Sequence, residues 1–415
     1  MAAWNRPDQF HRVLSFIGTY VAMKGADQLP ALVRKTEPKP IRIFMQDGTG
    51  DHIVPAEPYG TSFAGSWPIN NRVMFEALEY SGYDAKLEMG TEAHNMKQGG
   101  AIMPDALRWL WRGYPEPIVV REPPQMKEPG WDPRAKVYAM VSADKPWEQV
   151  GGSYGDAVSP TGDEAGDVFF ADTKADRIYK ADEDGKVSVF KERAGGVRAL
   201  RDGPGSVLYA YQAEHHQIVA YAPGGEQRVV TRGVDVTDMA LTIKSEIYFT
   251  DAVHKTIGYV DGAGKVRVVY QGGEVAVPTG IALSGDQAML VVSDAQSRFS
   301  WSFQIAADGG LQNGEPFYRL EAPEAGWISG VGGVAEDSIG QVYFATPMGI
   351  QVCEANGRMA EVLNSPGIGG VSSFVFAGKK LDWMYVAEGG RLFRRPVKVT
   401  GVAAGTLVKL PKPPL

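Results

Sequence analysis

Histidine and cysteine are the residue types most able to act as acid–base groups, nucleophiles or zinc ligands, and this 415-residue chain has six histidines and one cysteine. Five histidines lack the spacing of a zinc site: His11, His52, His215, His216 and His254. The adjacent His215 and His216 are expected to point to opposite faces of a strand. The sixth, His94, follows a predicted strand that ends near Met89. Cys353 lies in a strand-like run without a basic neighbour, so we expect a small core residue and no internal disulfide.

The composition is that of a turn-rich globular protein. Apolar residues make up 44% of the chain and charged residues 22%, with 50 Gly and 27 Pro. The net charge of -7 is scattered, and no basic stripe interleaved with aromatic residues occurs, which argues against a nucleic-acid partner. We find neither a run of 18 apolar residues nor a signal-peptide pattern, so the chain as given is expected to be cytoplasmic and without a membrane partner.

The elements that position these residues fall into two halves. The first half alternates strand and helix patterns, which predicts α/β wiring. The predicted strands cover 13–17, 41–45 and 85–89, and the predicted helices cover 71–80 and 105–111. Pro104 is expected to begin the second helix. A Pro- and Lys-rich stretch at 121–150 fits neither period and is predicted to be a linker between domains.

After the linker, the apolar period changes to two and a strand pattern recurs six times. The copies begin at Val168, Val207, Ile247, Leu290, Val342 and Met384. Their spacing of about 40–50 residues is the length of a four-stranded propeller blade. Glycines between the later strands of the early copies supply the positive φ of tight hairpins. The repeat therefore predicts a six-bladed β-propeller over 151–400, followed by a tail at 401–415.

The propeller half resembles the gluconolactonase and regucalcin family. The residues that carry the likeness are 246–251 (EIYFTD), 277–284 (VPTGIALS), 348–353 (MGIQVC) and 392–399 (LFRRPVKV). The resemblance implies a hydrolase, usually of lactones, with a divalent metal on the propeller axis held by a Glu, an Asn and an Asp. It also implies a further Asn that touches the substrate. Such chemistry needs oxygen ligands and an open coordination position.

The sequence departs from that family pattern at each ligand position. The Glu position falls on Tyr154 or, with a shift of two residues, on Asp156. Thr279 replaces the metal-binding Asn, and Gly332 replaces the axial Asp. A threonine hydroxyl is a poorer cation ligand than a carboxylate, and glycine offers no side-chain ligand. The resemblance therefore implies a largely dismantled metal site.

The remaining family positions fall on Thr237 and Asp238, which replace an Asn-Asp pair, and on Arg198, which replaces an Asn. Asp156 and Asp238 are candidate ligands of Ca²⁺ or another divalent metal, with the alternative that both are turn carboxylates. Arg198 either binds an anionic group or caps a blade edge. The candidate substrate-binding residues are Tyr154, Arg198, Thr237 and Thr279.

The first half resembles the C-terminal part of an esterase of the enterochelin-esterase type, an α/β-hydrolase. The likeness covers residues 1 to about 115 and is carried by 41–51 (IRIFMQDGTGD), 93–97 (AHNMK) and 102–112 (IMPDALRWLWR). It implies that Asp51, or alternatively Asp47, is the catalytic acid and that His94 is the catalytic base. The alternative is that His94 is an ordinary loop histidine. No Gly-x-Ser-x-Gly elbow occurs in residues 1–120, so the resemblance implies a truncated hydrolase domain without its nucleophile.

These patterns together predict a mainly β protein, a six-bladed propeller preceded by a truncated α/β-hydrolase-like domain at 1–120. The predicted function is weak hydrolysis of small-molecule esters or lactones in the axial pocket of the propeller, with acyl-homoserine lactones, and hence quorum quenching, as one option. The alternatives are a non-catalytic binding or scaffold propeller and residual ester cleavage by His94 and Asp51, which would activate water without a serine. The truncated sheet has an open apolar edge, which predicts a homodimer.

Overall fold

The computed structural model describes residues 2–51, 53–54, 65–120, 122, 135–323, 326 and 328–408. The chain divides into two compact units, Met1–Tyr138 and Ala139–Leu415. Within the part described, no helix is long and apolar enough to cross a membrane.

The first unit is a small parallel sheet with helices on both faces. Its strands are β1 (Arg12–Phe16), β2 (Arg42–Gly48) and β5 (Asp84–Gly90), in the order β1-β2-β5, with a short hairpin of β3 (Ile53–Val54) and β4 (Gly65–Ser66). Its helices are α1 (Ala2–Asn5), a 3₁₀ turn (Met23–Gln28), α2 (Leu29–Lys35), α3 (Trp67–Tyr80) and α4 (Lys97–Leu110). A further helix, α5 (Ala135–Met140), lies at the boundary of the two units.

Alternation along β2 explains why both faces of the sheet are covered. Ile43 and Met45 pack with α2 and α3, whereas Phe44 between them packs with Ala106 and Leu110 of α4. The three predicted strands and the α3 helix are confirmed, with shifted ends.

The α4 helix begins at Lys97, seven residues before the predicted start, and it contains Pro104. A proline within a helix removes one hydrogen bond and its ring clashes with the carbonyl four residues earlier, here that of Gly100. The exposed Gly100 has open space where its Cβ would be, so the backbone there has room to adjust. The expectation that Pro104 begins the helix was therefore wrong.

The second unit is a propeller of six four-stranded sheets. Blades one to three are β7 (Ala157–Gly162), β8 (Val168–Asp172), β9 (Arg177–Ala181), β10 (Val187–Glu192); β11 (Val197–Gly203), β12 (Val207–Gln212), β13 (Gln217–Tyr221), β14 (Gln227–Arg232); and β15 (Asp238–Leu241), β16 (Ile247–Asp251), β17 (Thr256–Val260), β18 (Val266–Gln271). Blades four and five are β19 (Pro278–Leu283), β20 (Met289–Asp294), β21 (Phe299–Ile305), β22 (Leu311–Arg319); and β23 (Val334–Glu336), β24 (Val342–Thr346), β25 (Gly349–Cys353), β26 (Met359–Leu363). The six recurring strand patterns are the second strands of the blades, which confirms the predicted repeat.

The sixth blade is closed by a strand from the other end of the propeller. It consists of β27 (Ser373–Ala377), β28 (Trp383–Glu388), β29 (Arg391–Pro396) and β6 (Glu148–Val150). Val150 pairs with Leu392 in antiparallel register, and both side chains are buried in the same core cluster. Residues 148–150 and the helix α5 are thus regular structure inside the stretch predicted to be a linker; residues 121 and 123–134 of that stretch lie outside the described residues.

Candidate functional site

The loops after β2 and β5 carry the main polar cluster of the first unit. These strands are parallel neighbours, so their carboxyl ends meet at one edge of the sheet. The two loops approach so closely that a Cβ on Gly48 would overlap the carbonyl oxygen of Glu92. Glycine at this position therefore allows Asp51, after β2, to lie beside His94, after β5.

Asp51 and His94, the acid and the base that the esterase resemblance implied, lie within hydrogen-bonding distance, and their catalytic roles stay predictions. The imidazole Nδ1 of His94 lies 2.9 Å from Oδ1 and 3.1 Å from Oδ2 of Asp51. The Asp51 side chain is fully buried, whereas 34% of the His94 side chain is exposed. A carboxylate can only accept, so Nδ1 donates the hydrogen bond and Nε2 is left as the basic nitrogen. The edge-on ring of Trp67, with centroids 5.4 Å apart, packs against the imidazole. This is the arrangement of an oriented general base.

Asp47, the alternative acid, lies behind this pair and does not replace it. Its Oδ2 accepts a hydrogen bond of 3.1 Å from Asn71 Nδ2, and its Oδ1 accepts one of 2.8 Å from the N–H of Gly48. Burial, followed by the hydrogen bond with Asp51, raises the pKa of Asp47 to about 7. Two carboxyl groups this close cannot both be charged at low cost. The raised pKa therefore favours the protonated form of Asp47 in the folded protein.

The inner strands of the six blades form a closed ring around the propeller axis: β7, β11, β15, β19, β23 and β27, with β27 returning to β7. Side chains seal the seams of this ring. Ser159 accepts a hydrogen bond of 2.8 Å at Oγ from the N–H of Leu200 in blade two. Its own N–H donates to Ser373 Oγ in blade six, at 3.3 Å.

Arg201 and Asp238 form an ion pair in this ring. Arg201 Nη2 lies 2.7 Å from Asp238 Oδ1, and its Nε donates to the carbonyl of Met239 at 2.8 Å. The two side chains are only 15% and 14% exposed. Asp238 Oδ2 also accepts from the N–H of Ile281 at 3.3 Å. The pair thus joins the inner strands of blades two, three and four, and the charge of Asp238 is already matched by a guanidinium.

Two of the predicted substrate-binding residues lie away from this ion pair. The Tyr154 ring packs against Phe170 and Tyr179 in the core of blade one, with centroids 4.8 and 5.0 Å apart. Arg198 is exposed near the start of β11 and acts electrostatically on Tyr211. Their roles toward a substrate stay predictions.

The two threonines that were predicted to bind substrate each form a hydrogen bond with a backbone group. Thr237 is exposed, and its Oγ1 accepts a hydrogen bond of 3.0 Å from the N–H of Ala252. Thr279 Oγ1 donates to the carbonyl of Val331 at 2.8 Å, across the seam between blades four and five. Contact with a substrate at either threonine stays a prediction.

The axial residues do not fit the metal that the family resemblance implies. A Cβ on Gly332 would overlap the carbonyl oxygen of Ser372, so no carboxylate can be carried there without moving the backbone. Asp238 is neutralised by Arg201. Asp156 Oδ2 accepts the hydroxyl of Thr173 at 2.6 Å, within blade one. The two candidate metal ligands thus have separate partners in different blades, and we derive no chemistry from an axial metal.

Sequence reasoning missed Arg201. The signal was a charged residue inside the buried strand β11, three positions after Arg198. Period-two alternation alone places both arginines in the strand, but only the packed ring shows which one meets Asp238.

Comparisons with known proteins agree with this fold. A gluconolactonase from Xanthomonas campestris is 18% identical with a TM-score of 0.56, covering 63% of this chain and 93% of that one. A calcium-binding protein, regucalcin, from Agrobacterium tumefaciens is 15% identical with a TM-score of 0.53, covering 64% and 98%. A luciferin-regenerating enzyme is 16% identical with a TM-score of 0.53, covering 64% and 100%. No curated protein sequence matches the chain.

The family comparison covers most of the propeller. The model of the SMP-30/gluconolactonase/LRE-like region matches residues 157–389, from the first strand of blade one to the end of β28 in blade six. That span is more than half of the chain. The chain therefore belongs to the SMP-30/gluconolactonase/LRE-like family.

Proposed function

We propose that the protein is a hydrolase of small esters or lactones in which His94, oriented by Asp51, is the general base. The observation that carries the proposal is the hydrogen bond between a half-exposed imidazole and a fully buried carboxylate at the carboxyl ends of adjacent parallel strands. Active sites in open α/β sheets lie at this edge. The resemblance of the first unit to an esterase of the enterochelin-esterase type implies the same roles, His94 as the base and Asp51 as the acid.

The reaction needs one proton transfer in each direction. Nε2 of His94 takes a proton from a water molecule, whose oxygen attacks the carbonyl carbon. The imidazolium then returns the proton to the leaving alkoxide oxygen, so an ester gives an acid and an alcohol, and a lactone gives a hydroxy acid. The carboxylate of Asp51 stabilises the imidazolium in between. Without a serine nucleophile, the expected rate enhancement is small.

Family membership supports the ester and lactone class of substrate. The test is an assay of the purified full chain on aryl esters, sugar lactones and acyl-homoserine lactones, with and without EDTA and added Ca²⁺. His94→Ala is expected to lower turnover by about 100-fold or more, which is the usual contribution of a general base. Asp51→Asn should act in the same direction, because an amide can also donate to the imidazole and no longer enforces the tautomer with the proton on Nδ1. EDTA should have no effect, since the axial residues do not fit a metal.

A matched control is His215→Ala, which removes an exposed histidine of the propeller. It should leave turnover unchanged. Equal activity in His94→Ala and wild type would refute the proposal, and loss of activity with EDTA would move the chemistry to a metal.

A second candidate is a non-catalytic ligand-binding propeller. It is favoured by Gly332, which stands where the resemblance places the axial Asp, and by the Arg201–Asp238 ion pair, which neutralises a candidate metal ligand. It predicts no turnover of any of the three substrate classes by protein whose far-UV circular dichroism shows it to be folded.

A further inference from the structure

Two histidines that lack zinc-like spacing in the sequence come together with two aspartates at one end of blades two and three. Asp235 lies in the loop before β15, Asp251 ends β16, and His254 lies in the turn that follows. His254 Nδ1 is 2.6 Å from Asp251 Oδ2 and 4.0 Å from Asp235 Oδ2. The ligand atoms of these three residues all lie within 4.8 Å of one another. His216 Nδ1 lies 2.6 Å from the other oxygen of Asp235.

Two other blades of the propeller carry an aspartate at the position equivalent to Asp251 in blade three. Asp172 in blade one and Asp294 in blade four occupy the same place, at the end of the second strand. In both, the carboxylate accepts hydrogen bonds from two N–H groups of the loop that precedes the inner strand. These groups belong to Gly155 and Asp156 in blade one and to Ala276 and Val277 in blade four.

Blade three differs at this position. Asp251 Oδ1 accepts from the turn N–H groups of Val253 and His254, at 3.0 and 2.9 Å, as Asp172 Oδ1 also accepts from its own turn. The difference is at Oδ2, which meets the imidazole of His254, with the carboxylate of Asp235 beside it. The oxygen that a loop N–H satisfies in blades one and four thus faces side chains that bind metals in blade three.

The second carboxylate is also oriented. Asp235 Oδ1 accepts from the Tyr211 hydroxyl at 2.9 Å and from His216 Nδ1 at 2.6 Å, so Oδ2 is the oxygen directed at His254. Outer hydrogen bonds of this kind fix the ligands of protein metal sites. Zinc ligands lie about 2.0–2.2 Å from the ion, so the distances between ligand atoms need only small changes around it. The side chain of His254 is 62% exposed and has room to make them.

We propose that Asp235, Asp251 and His254 bind a divalent transition-metal ion of the zinc class, with His216 hydrogen-bonded to the outer oxygen of Asp235. An imidazole nitrogen in the ligand set favours Zn²⁺ over Ca²⁺ or Mg²⁺, which prefer oxygen ligands. Two carboxylates balance the charge of the ion. Tyr211, which donates to Asp235, also lies within the electrostatic influence of the Arg198 guanidinium.

This site is separate from the His94 pair and does not depend on the proposed function. Within the propeller it adjoins Thr237, because Ala252, the residue after Asp251, donates its N–H to Thr237 Oγ1. Three protein ligands would leave a coordination position for water or for a ligand oxygen, as in catalytic zinc sites.

Protons compete with the metal at this site. Zinc binding should weaken as the pH falls, because the ligand must be neutral imidazole.

The test is titration of the full chain, without an affinity tag, with Zn²⁺ and separately with Ca²⁺ in a calorimeter, and with Co²⁺ by visible absorption. We expect one Zn²⁺ per chain at this site, binding at least about 10-fold tighter than Ca²⁺. His254→Ala and Asp251→Asn should each weaken Zn²⁺ binding by about 10-fold or more. His215→Ala is the matched control, since it removes a neighbouring exposed histidine outside the cluster, and it should bind Zn²⁺ as the wild type does.

Three results would overturn the proposal: no Zn²⁺ binding, Ca²⁺ binding as tight as Zn²⁺ binding, or Zn²⁺ binding that is equal in His254→Ala and the wild type. If circular dichroism shows that Asp251→Asn does not fold, His254→Ala decides alone, because that side chain lies on the surface. Zinc bound elsewhere, for example at His94, would persist in His254→Ala and is thereby distinguished from the proposed site.

Discussion

Two buried carboxyl groups of the propeller show how hydrogen bonding sets the charge state of an aspartate. Burial would raise the pKa of Asp172, but four backbone N–H groups that donate to its carboxylate lower the pKa below its ordinary value. Burial, together with the charges of Asp163 and Glu164, raises the pKa of Asp202 to about 8. Among the residues described, no group hydrogen-bonds to Asp202 Oδ1. The Asp172 carboxyl group thus stabilises the fold when it is charged, whereas the Asp202 carboxyl group does so when it is neutral.

Asp202→Asn is expected to stabilise the protein in a pH-dependent way. Because the folded-state pKa of Asp202 is raised, the wild type loses stability as the pH rises from about 4 to about 8. Asparagine removes that loss, so the gain in the free energy of unfolding should grow over this range and reach about 1–3 kcal/mol at pH 8. Urea denaturation at pH 5 and pH 8 measures it; a gain that is the same at both pH values would contradict the assignment.

Asp172→Asn is the opposite case. Because its folded-state pKa is lowered, the carboxylate contributes stability above the unfolded pKa of about 4, and that contribution is lost as the pH falls through the folded value. The substitution should lower the free energy of unfolding at pH 7 and have less effect near pH 3. An unchanged denaturation midpoint at pH 7 would count against the four hydrogen bonds.

Packing around the inner strands explains why the axial residues do not fit a metal. The segment before β23 carries no side chain where it meets the segment before β27, because Gly332 packs directly on the backbone of Ser372. Two other seams of the ring are filled by Thr279 and by the Arg201–Asp238 pair. The ring is thus sealed by packing and hydrogen bonds where a metal would need open oxygen ligands.

Gly332→Ala tests this seam. The added methyl group would overlap a carbonyl oxygen, so we expect the free energy of unfolding to fall by about 1–3 kcal/mol. Gly273→Ala is the control, because the position is exposed and a Cβ there meets nothing within 4 Å. Guanidinium denaturation compares the two variants with the wild type; equal destabilisation by both would show that the seam is not tightly packed.

At the scale of the whole molecule, the open sheet of the first unit predicts self-association. Among the described residues, β1 and β5 are the edge strands of the order β1-β2-β5, and edge strands are ready templates for pairing with another chain. We expect a homodimer in sedimentation velocity at micromolar concentration. A monomer across the accessible concentration range would rule it out, and a charged substitution in β1, such as Val13→Lys, should dissociate the dimer if that edge forms the contact.

The sequence by itself determined the propeller. Period-two alternation and hairpin glycines such as Gly185 and Gly264, both with positive φ, are local signals, and six copies of them specify six blades. The strands β2 and β5, and with them the placement of Asp51 and His94, followed from local patterns and a family resemblance. The ends of α4 could not be predicted from local patterns. A proline usually marks the start of a helix, but here it lies inside the helix, because packing against Phe44 outweighs that local signal.

The tertiary structure alone decided three features: the closure of blade six by β6, the pairing of Arg201 with Asp238, and the cluster of Asp235, Asp251 and His254. Each joins residues that are distant in the chain or that have no informative spacing. Their contacts depend on strand register and on how blades pack around the ring, neither of which is encoded in a short window of sequence. Histidines without zinc-like spacing thus became candidate ligands only once the blades were assembled.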